Sequence, residues 1–101
     1  MITILLKEKD GHFVSLEAKG HANSAPYGAD LVCAAVSAVI LGGFNALEES
    51  DAYEAKAKEG YASLLAKKIP SPHDDIVLST ITSQLTSIAT SHPEAVKLER
   101  K

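Results

Sequence analysis

Hydrophobic and polar positions alternate twice near the start of the chain. Ile2, Ile4 and Leu6 share one side of an extended stretch, and Val14, Leu16 and Ala18 share one side of the next. A period of two marks strands with one buried face. Asp10-Gly11 lies between them, and both residue types tolerate the positive φ that a two-residue turn needs. Residues 2–19 are therefore predicted to form a hairpin. The pattern breaks at Gly-His-Ala-Asn-Ser-Ala-Pro-Tyr-Gly-Ala-Asp, residues 20–30, which reads as a surface loop.

From Leu31 to about Glu49 apolar residues occupy nearly every face, with Asp30 as the predicted N-cap of a helix. A helix apolar all round is covered on several sides: one side by the sheet, another by a partner subunit. Gly42-Gly43 inside it marks a close-packing point or a kink. Alternation returns over residues 53–58 and 61–66 around Glu59-Gly60, a second hairpin. Ser71, Pro72, Asp74 and Asp75 are start signals for a second helix. Leu78, Ile81, Leu85 and Ile88 recur there at helical spacing, and His92-Pro93 ends it. Ala95 to Glu99 reads as a last strand. The order β-β-α-β-β-α-β predicts an α+β fold: a two-layer sandwich of a mixed, mostly antiparallel sheet with two helices. Residues 1–101 are read as a single domain.

Composition narrows the function classes. Hydrophobic residues are 46% and charged residues 23%, an ordinary globular balance. The longest apolar run, Leu31 to Leu41, is far short of the ~20 residues a membrane helix needs. The first eight residues lack the basic start of a signal peptide, so the expected location is the cytoplasm. The net charge is −3, and no basic stripe interleaved with aromatics is present, so direct nucleic-acid binding is not expected. His12, His73 and His92 lack ligand-like spacing and read as solvated surface; neither a metal nor a cofactor is expected.

Candidate chemistry centres on Cys33, the chain's one cysteine. Its predicted place is the third position of the helix, where unpaired amides and the helix dipole favour a thiolate. The same amides suit an oxyanion. His21 stands where the second predicted strand ends, and the loop returns the chain to the helix start. A cysteine beside a histidine is the minimal unit of thiol acyl transfer. Ser37 follows Cys33 by one turn and faces the same side. Cysteine is equally at home as a small buried hydrophobe. Two other readings therefore stay open. One is a non-enzymatic, dimeric interaction module with Cys33 in its core. The other is a thiol peroxidase or redox sensor, although no second cysteine is present to resolve a sulfenic acid.

Gly20-His21-Ala22, five residues, then Gly28-Ala29-Asp30-Leu31-Val32-Cys33-Ala34-Ala35-Val36-Ser37 resembles the signature of the ribosomal-processing cysteine protease family Prp. Each half alone is weak; the two at a fixed separation are specific. The resemblance covers essentially the whole chain. It implies a small homodimeric cysteine endopeptidase of the cytoplasm. Its substrate would be a large-subunit ribosomal protein precursor, bacterial protein twenty-seven, whose N-terminal extension is cut after a phenylalanine-rich stretch. It implies Cys33 as nucleophile and His21 as general acid/base, with Gly20, Asp30 and Ser37 lining the substrate site. It also implies a loop, His21 to Asp30, that is mobile until substrate orders it.

Overall fold

A computed structural model describes residues 1–20 and 28–101, with only the backbone of 28–30. The elements are β1 (Ile2–Lys9), β2 (His12–Lys19), α1 (Gly28–Asn45), a 3-10 turn (Ser50–Ala52), β3 (Tyr53–Lys58), β4 (Tyr61–Ala66), α2 (Pro72–Ser91) and β5 (Val96–Arg100). The sheet runs β3-β4-β2-β1-β5. Every neighbouring pair is antiparallel except β1 with β5. This is the expected mixed, mostly antiparallel α+β sandwich.

The first hairpin turns on Asp10 at φ 53 and Gly11 at φ 78. Two consecutive positive φ values give the turn a twist that suits the flanking strands. The register then slips by one: Lys7 faces Ser15, but Glu8 faces Phe13, so Val14 is passed over. The bulge turns Phe13 to the side of Leu6, where it packs on the core. Strict alternation had put Val14 on that side.

One face of the sheet carries the core. Ile2, Ile4, Leu6, Leu16, Ala18, Leu64 and Val96 are buried against Val32, Val36 and Ile40 of α1 and Leu78, Ile81 and Leu85 of α2. α2 starts as predicted: Ser71 caps it by accepting from the Asp74 amide at 3.2 Å, and Pro72 follows. Its serines and threonines are poor helix formers. Thr80, Thr82 and Thr86 satisfy their hydroxyls by donating to carbonyls four residues back, at 2.8, 2.9 and 2.7 Å. The helix closes where the His92 amide donates to the Ile88 carbonyl.

Three boundaries differ from the sequence reading. α1 begins at Gly28, three residues early, so Asp30 lies within the first turn and is not the cap. α1 also ends at Asn45, before Glu49. The amides released at Glu48 and Glu49 turn to Asp74 Oδ1 and Oδ2, at 2.9 and 3.4 Å. The last strand is Val96–Arg100, one residue later than expected. Gly43 is the close-packing point: a Cβ there would collide with the buried Ile81 side chain, whereas one on Gly42 would meet open space.

Candidate active site

Cys33 stands in the second turn of α1, half-buried. That corrects the expected third position. The free amides of the first turn now belong to residues 28–30, one turn before the cysteine. Helical side chains lean toward the N-terminus, so the sulfur is still directed over that turn. Val32, Val36 and Ile40 form the buried stripe of α1; Cys33 and Ser37 flank it.

That flank opens onto a cleft. Gly20, Cys33 and Ser37 line it together, with Ile40 and Leu41 further along the helix. The opposite wall comes from the second hairpin: Ala57, Lys58, Tyr61 and Ala62. The loop separates Gly20 from Cys33 in sequence, but the fold returns both to one cleft. Gly20 sits at φ +107, a conformation side chains rarely adopt, and a Cβ there would collide with the Met1 carbonyl oxygen. Its amide donates to the Gly60 carbonyl at 3.0 Å, which ties the end of β2 to the tip of the second hairpin. His21, the expected loop and the side chain of Asp30 lie outside the described residues.

The sequence reading missed the hairpin wall. No motif marks it; it arrives through sheet pairing, with Lys19 opposite Tyr61 and Tyr61 opposite Lys58. The Tyr61 hydroxyl donates to Glu17 Oε2 at 2.9 Å, and the Lys58 ammonium lies 5.9 Å from the ring centre. The hydrogen bond from Tyr61, with help from Lys19, holds the Glu17 carboxyl below its usual value against the opposing effect of desolvation.

A second polar cluster lies at the far end of α1. The Asp74 carboxylate, fully buried, accepts from the Glu48 and Glu49 amides, from the Tyr53 hydroxyl at 2.9 Å and from His73 Nδ1 at 2.9 Å. Burial pushes its pKa up, but the donors outweigh it and hold the carboxyl below the ordinary range. The bond to Asp74 raises His73 above its usual value. Burial, then the Asp74 bond, raises Tyr53. Glu48, His73 and Asp74 stand close enough to hold a metal ion. Each Asp74 oxygen already accepts two donors, so the donor set fits a structural clamp rather than a metal centre. His73 is exposed, as expected, but bonded to Asp74, whereas His12 is half-buried with its Nδ1 shielded, not the solvated residue expected.

A family model described as Cysteine protease Prp matches residues 1–97. The chain belongs to the Prp family of cysteine proteases. Among Prp relatives, a ribosomal processing cysteine protease from Mycoplasma genitalium is 40% identical over 87 residues, which is 85% of this chain and 87% of that one. One from Bacillus subtilis is 49% identical over 41 residues, 41% of this chain and 37% of that one. The Staphylococcus aureus Prp, solved with a covalently linked product peptide, superposes with a TM-score of 0.86 at 26% identity, covering 100% of both chains. A Streptococcus mutans protein superposes equally well, TM-score 0.86 at 29% identity, over 99% of this chain and 93% of that one. Membership in Prp makes the chain a cysteine protease and sets aside the interaction-module and redox readings. Among the described residues, no helix is long and apolar enough to cross a membrane.

Proposed function

We propose that the chain removes the N-terminal extension of a ribosomal protein, the large-subunit protein twenty-seven, by a Cys33–His21 dyad. The observation that carries this reading is the meeting of Gly20, Cys33 and Ser37 on one cleft, which brings the two halves of the signature together. In the proposed mechanism the Cys33 thiolate attacks the scissile carbonyl and forms a tetrahedral oxyanion. The unbonded amides of the first turn of α1 are its donors. His21, bonded to Gly20, protonates the departing amine as the C–N bond breaks. It then takes a proton from water, which attacks the thioester and releases the acid product and the thiol. Gly20, Asp30 and Ser37 contact the peptide. No step needs a cofactor. The curated relatives' ribosomal processing role supports the substrate class.

The same reading includes a homodimer in the cytoplasm. Its support is the outer strip of α1, where Leu31, Ala34, Ala35, Ala38, Leu41 and Gly42 are exposed. A strip of this kind, about three turns long, is a natural contact for a second copy. The deciding experiment mixes the purified chain with the precursor protein and reads product masses, beside Cys33→Ala and His21→Ala. One cut after the phenylalanine-rich stretch, absent in both variants, is expected. An intact precursor after incubation with folded wild-type chain overturns the substrate assignment; a cut by either variant overturns the dyad.

A further inference from the structure

Charge is divided between the two layers. The segments that carry the helices, residues 20–52 and 69–95, hold seven carboxylates and no lysine or arginine. The strand segments hold all ten bases against six carboxylates, a net +4 in a chain of net −3. Both helices pack on the Ile4 side of the sheet, and among the described residues none covers the other side. Strand pairing draws one row across all five strands on that open side. Lys58 faces Tyr61, Tyr61 faces Lys19, Lys19 faces Thr3, and Thr3 faces Lys97. The row holds no carboxylate. At the usual ~4.8 Å between strands it is about 19 Å long, with a lysine about every 10 Å. Each residue comes from a different strand, so no such stripe runs along the sequence. The Lys58 ammonium lies 5.9 Å from the Tyr61 ring centre. Lys19 and Lys97 touch acids of the next row, Glu17 at 3.5 Å and Glu99 at 3.1 Å. These lysine side chains are 60% and 63% exposed, so the two pairs contribute little and yield to a stronger anion.

We infer that this row is a docking surface for single-stranded RNA, with its lysines on phosphates and a base stacked on the Tyr61 ring. The inference goes beyond the protease reading and does not rest on it. Separated cations follow a phosphate backbone, and an aromatic ring between two of them gives a base a face to stack on. An open sheet is a platform for such stacking in RNA-recognition folds. The base takes the ring face that Lys58 now covers, and Lys58 turns to the adjacent phosphate. Duplex RNA keeps its bases stacked inside and has none to offer Tyr61. An acidic peptide meets the same charges but gains nothing from the ring. The carboxylates of the helix segments repel a polyanion, so its approach is oriented to the sheet. The Lys58-Tyr61-Lys19 end of the row borders the Cys33 cleft. A protein delivered on RNA would thus be presented beside the cysteine.

The test reads fluorescence anisotropy of a labelled oligouridylate of about 12 nucleotides, within the usual single-strand site size, against the full chain at low salt. Binding is expected, with log affinity falling against log salt at a slope of about −2, the value for three phosphate contacts on a single strand. Lys19→Gln/Lys58→Gln/Lys97→Gln is expected to lose at least ~10-fold in affinity and most of that slope. Lys9→Gln/Lys67→Gln/Lys101→Gln removes the same charge from exposed positions at the opposite end of the sheet, and is expected to stay within about twofold of wild type. Tyr61→Leu is expected to weaken binding at least ~5-fold with the slope unchanged, and Tyr61→Phe, which keeps the ring, to bind as wild type. Equal losses in the two lysine triples overturn the inference, as does a Tyr61→Leu variant with wild-type affinity. So does a wild-type chain that binds duplex RNA or a labelled oligoglutamate as tightly as the single strand, or that binds phosphatidylserine vesicles but not the RNA. Should Tyr61→Leu fail to fold, Tyr61→Phe and the duplex comparison still decide whether a base is stacked.

Discussion

Replacing Asp74 with alanine strands four donors at once. The Glu48 and Glu49 amides lose the acceptor that ends α1, and the Tyr53 hydroxyl, in a residue only 7% exposed, loses its partner. An unsatisfied buried donor costs about 1–3 kcal/mol, and breaking a buried charged contact from one side costs about 3–5 kcal/mol. We take ~3–5 kcal/mol for the whole clamp, because the exposed His73 finds water instead. For a chain of this length each kcal/mol is worth roughly 4–8 °C, so Tm is expected to fall by at least ~12 °C in a circular-dichroism melt. Asp74→Asn keeps the shape but turns an amide group toward donors, and is expected to fall between wild type and alanine. The pH dependence follows from the lowered carboxyl. A folded pKa below the unfolded one adds stability above the unfolded value, and that stability is lost as pH falls through the folded value. The gap between wild type and Asp74→Asn should therefore be wide at neutral pH and close on acidification below the carboxylate range. His73 works in the opposite sense: its raised pKa stabilises below its ordinary 6.5 and fades as pH rises through the folded value. In Asp74→Asn its NMR titration should move back toward 6.5. A Tm loss under about 4 °C for alanine, or a gap that does not narrow in acid, refutes the clamp.

The neighbouring glycines of α1 should respond with opposite signs. Gly42→Ala meets open space and should gain up to about 1 kcal/mol from helix propensity, whereas Gly43→Ala should lose about 1–3 kcal/mol by overpacking Ile81. Urea titrations of both measure this, and a stabilised Gly43→Ala would show that Ile81 moves aside freely. Gly20→Ala should cost about 1–3 kcal/mol through its backbone conformation and depress kcat/KM beyond the loss of folded protein, because the strain falls beside His21. Activity per folded molecule equal to wild type would count against that. Cys33→Ser should leave the melt within about 1 kcal/mol of wild type and reduce peptide cleavage at least ~1,000-fold; retained cleavage would remove the cysteine from the mechanism.

What could be read from the chain alone was local. Asp10-Gly11 and Ser71-Pro72 fix a turn and a helix start through their own backbone chemistry, and both stand where expected. The start of α1 escaped because Gly28 and Asp30 are poor helix formers that read as loop and cap; the folded backbone overrides that preference. The slip at Val14 is a property of strand pairing and has no mark in β2 itself. Asp74 carried a legible first-turn signal, but three of its four partners come from 21 to 26 residues away. The cleft divides the same way. Cys33 and Ser37 are linked by helical spacing, whereas Ala57, Lys58 and Tyr61 reach it only across the sheet.

The parallel pairing of β1 and β5 has a consequence for how the chain keeps its solubility. β1 carries Ile2-Thr3-Ile4-Leu5-Leu6, a run of high strand propensity without charge, and β5 covers its otherwise open side from Ile2↔Val96 to Leu6↔Arg100. A bare strand edge of that composition is a template for cross-chain pairing. The outermost position is held instead by Val-Lys-Leu-Glu-Arg, where alternating charges discourage further growth of the sheet. β5 thus acts as a guard strand. Its removal by proteolysis would leave a chain prone to fibrous self-association, well before the helices lose their packing.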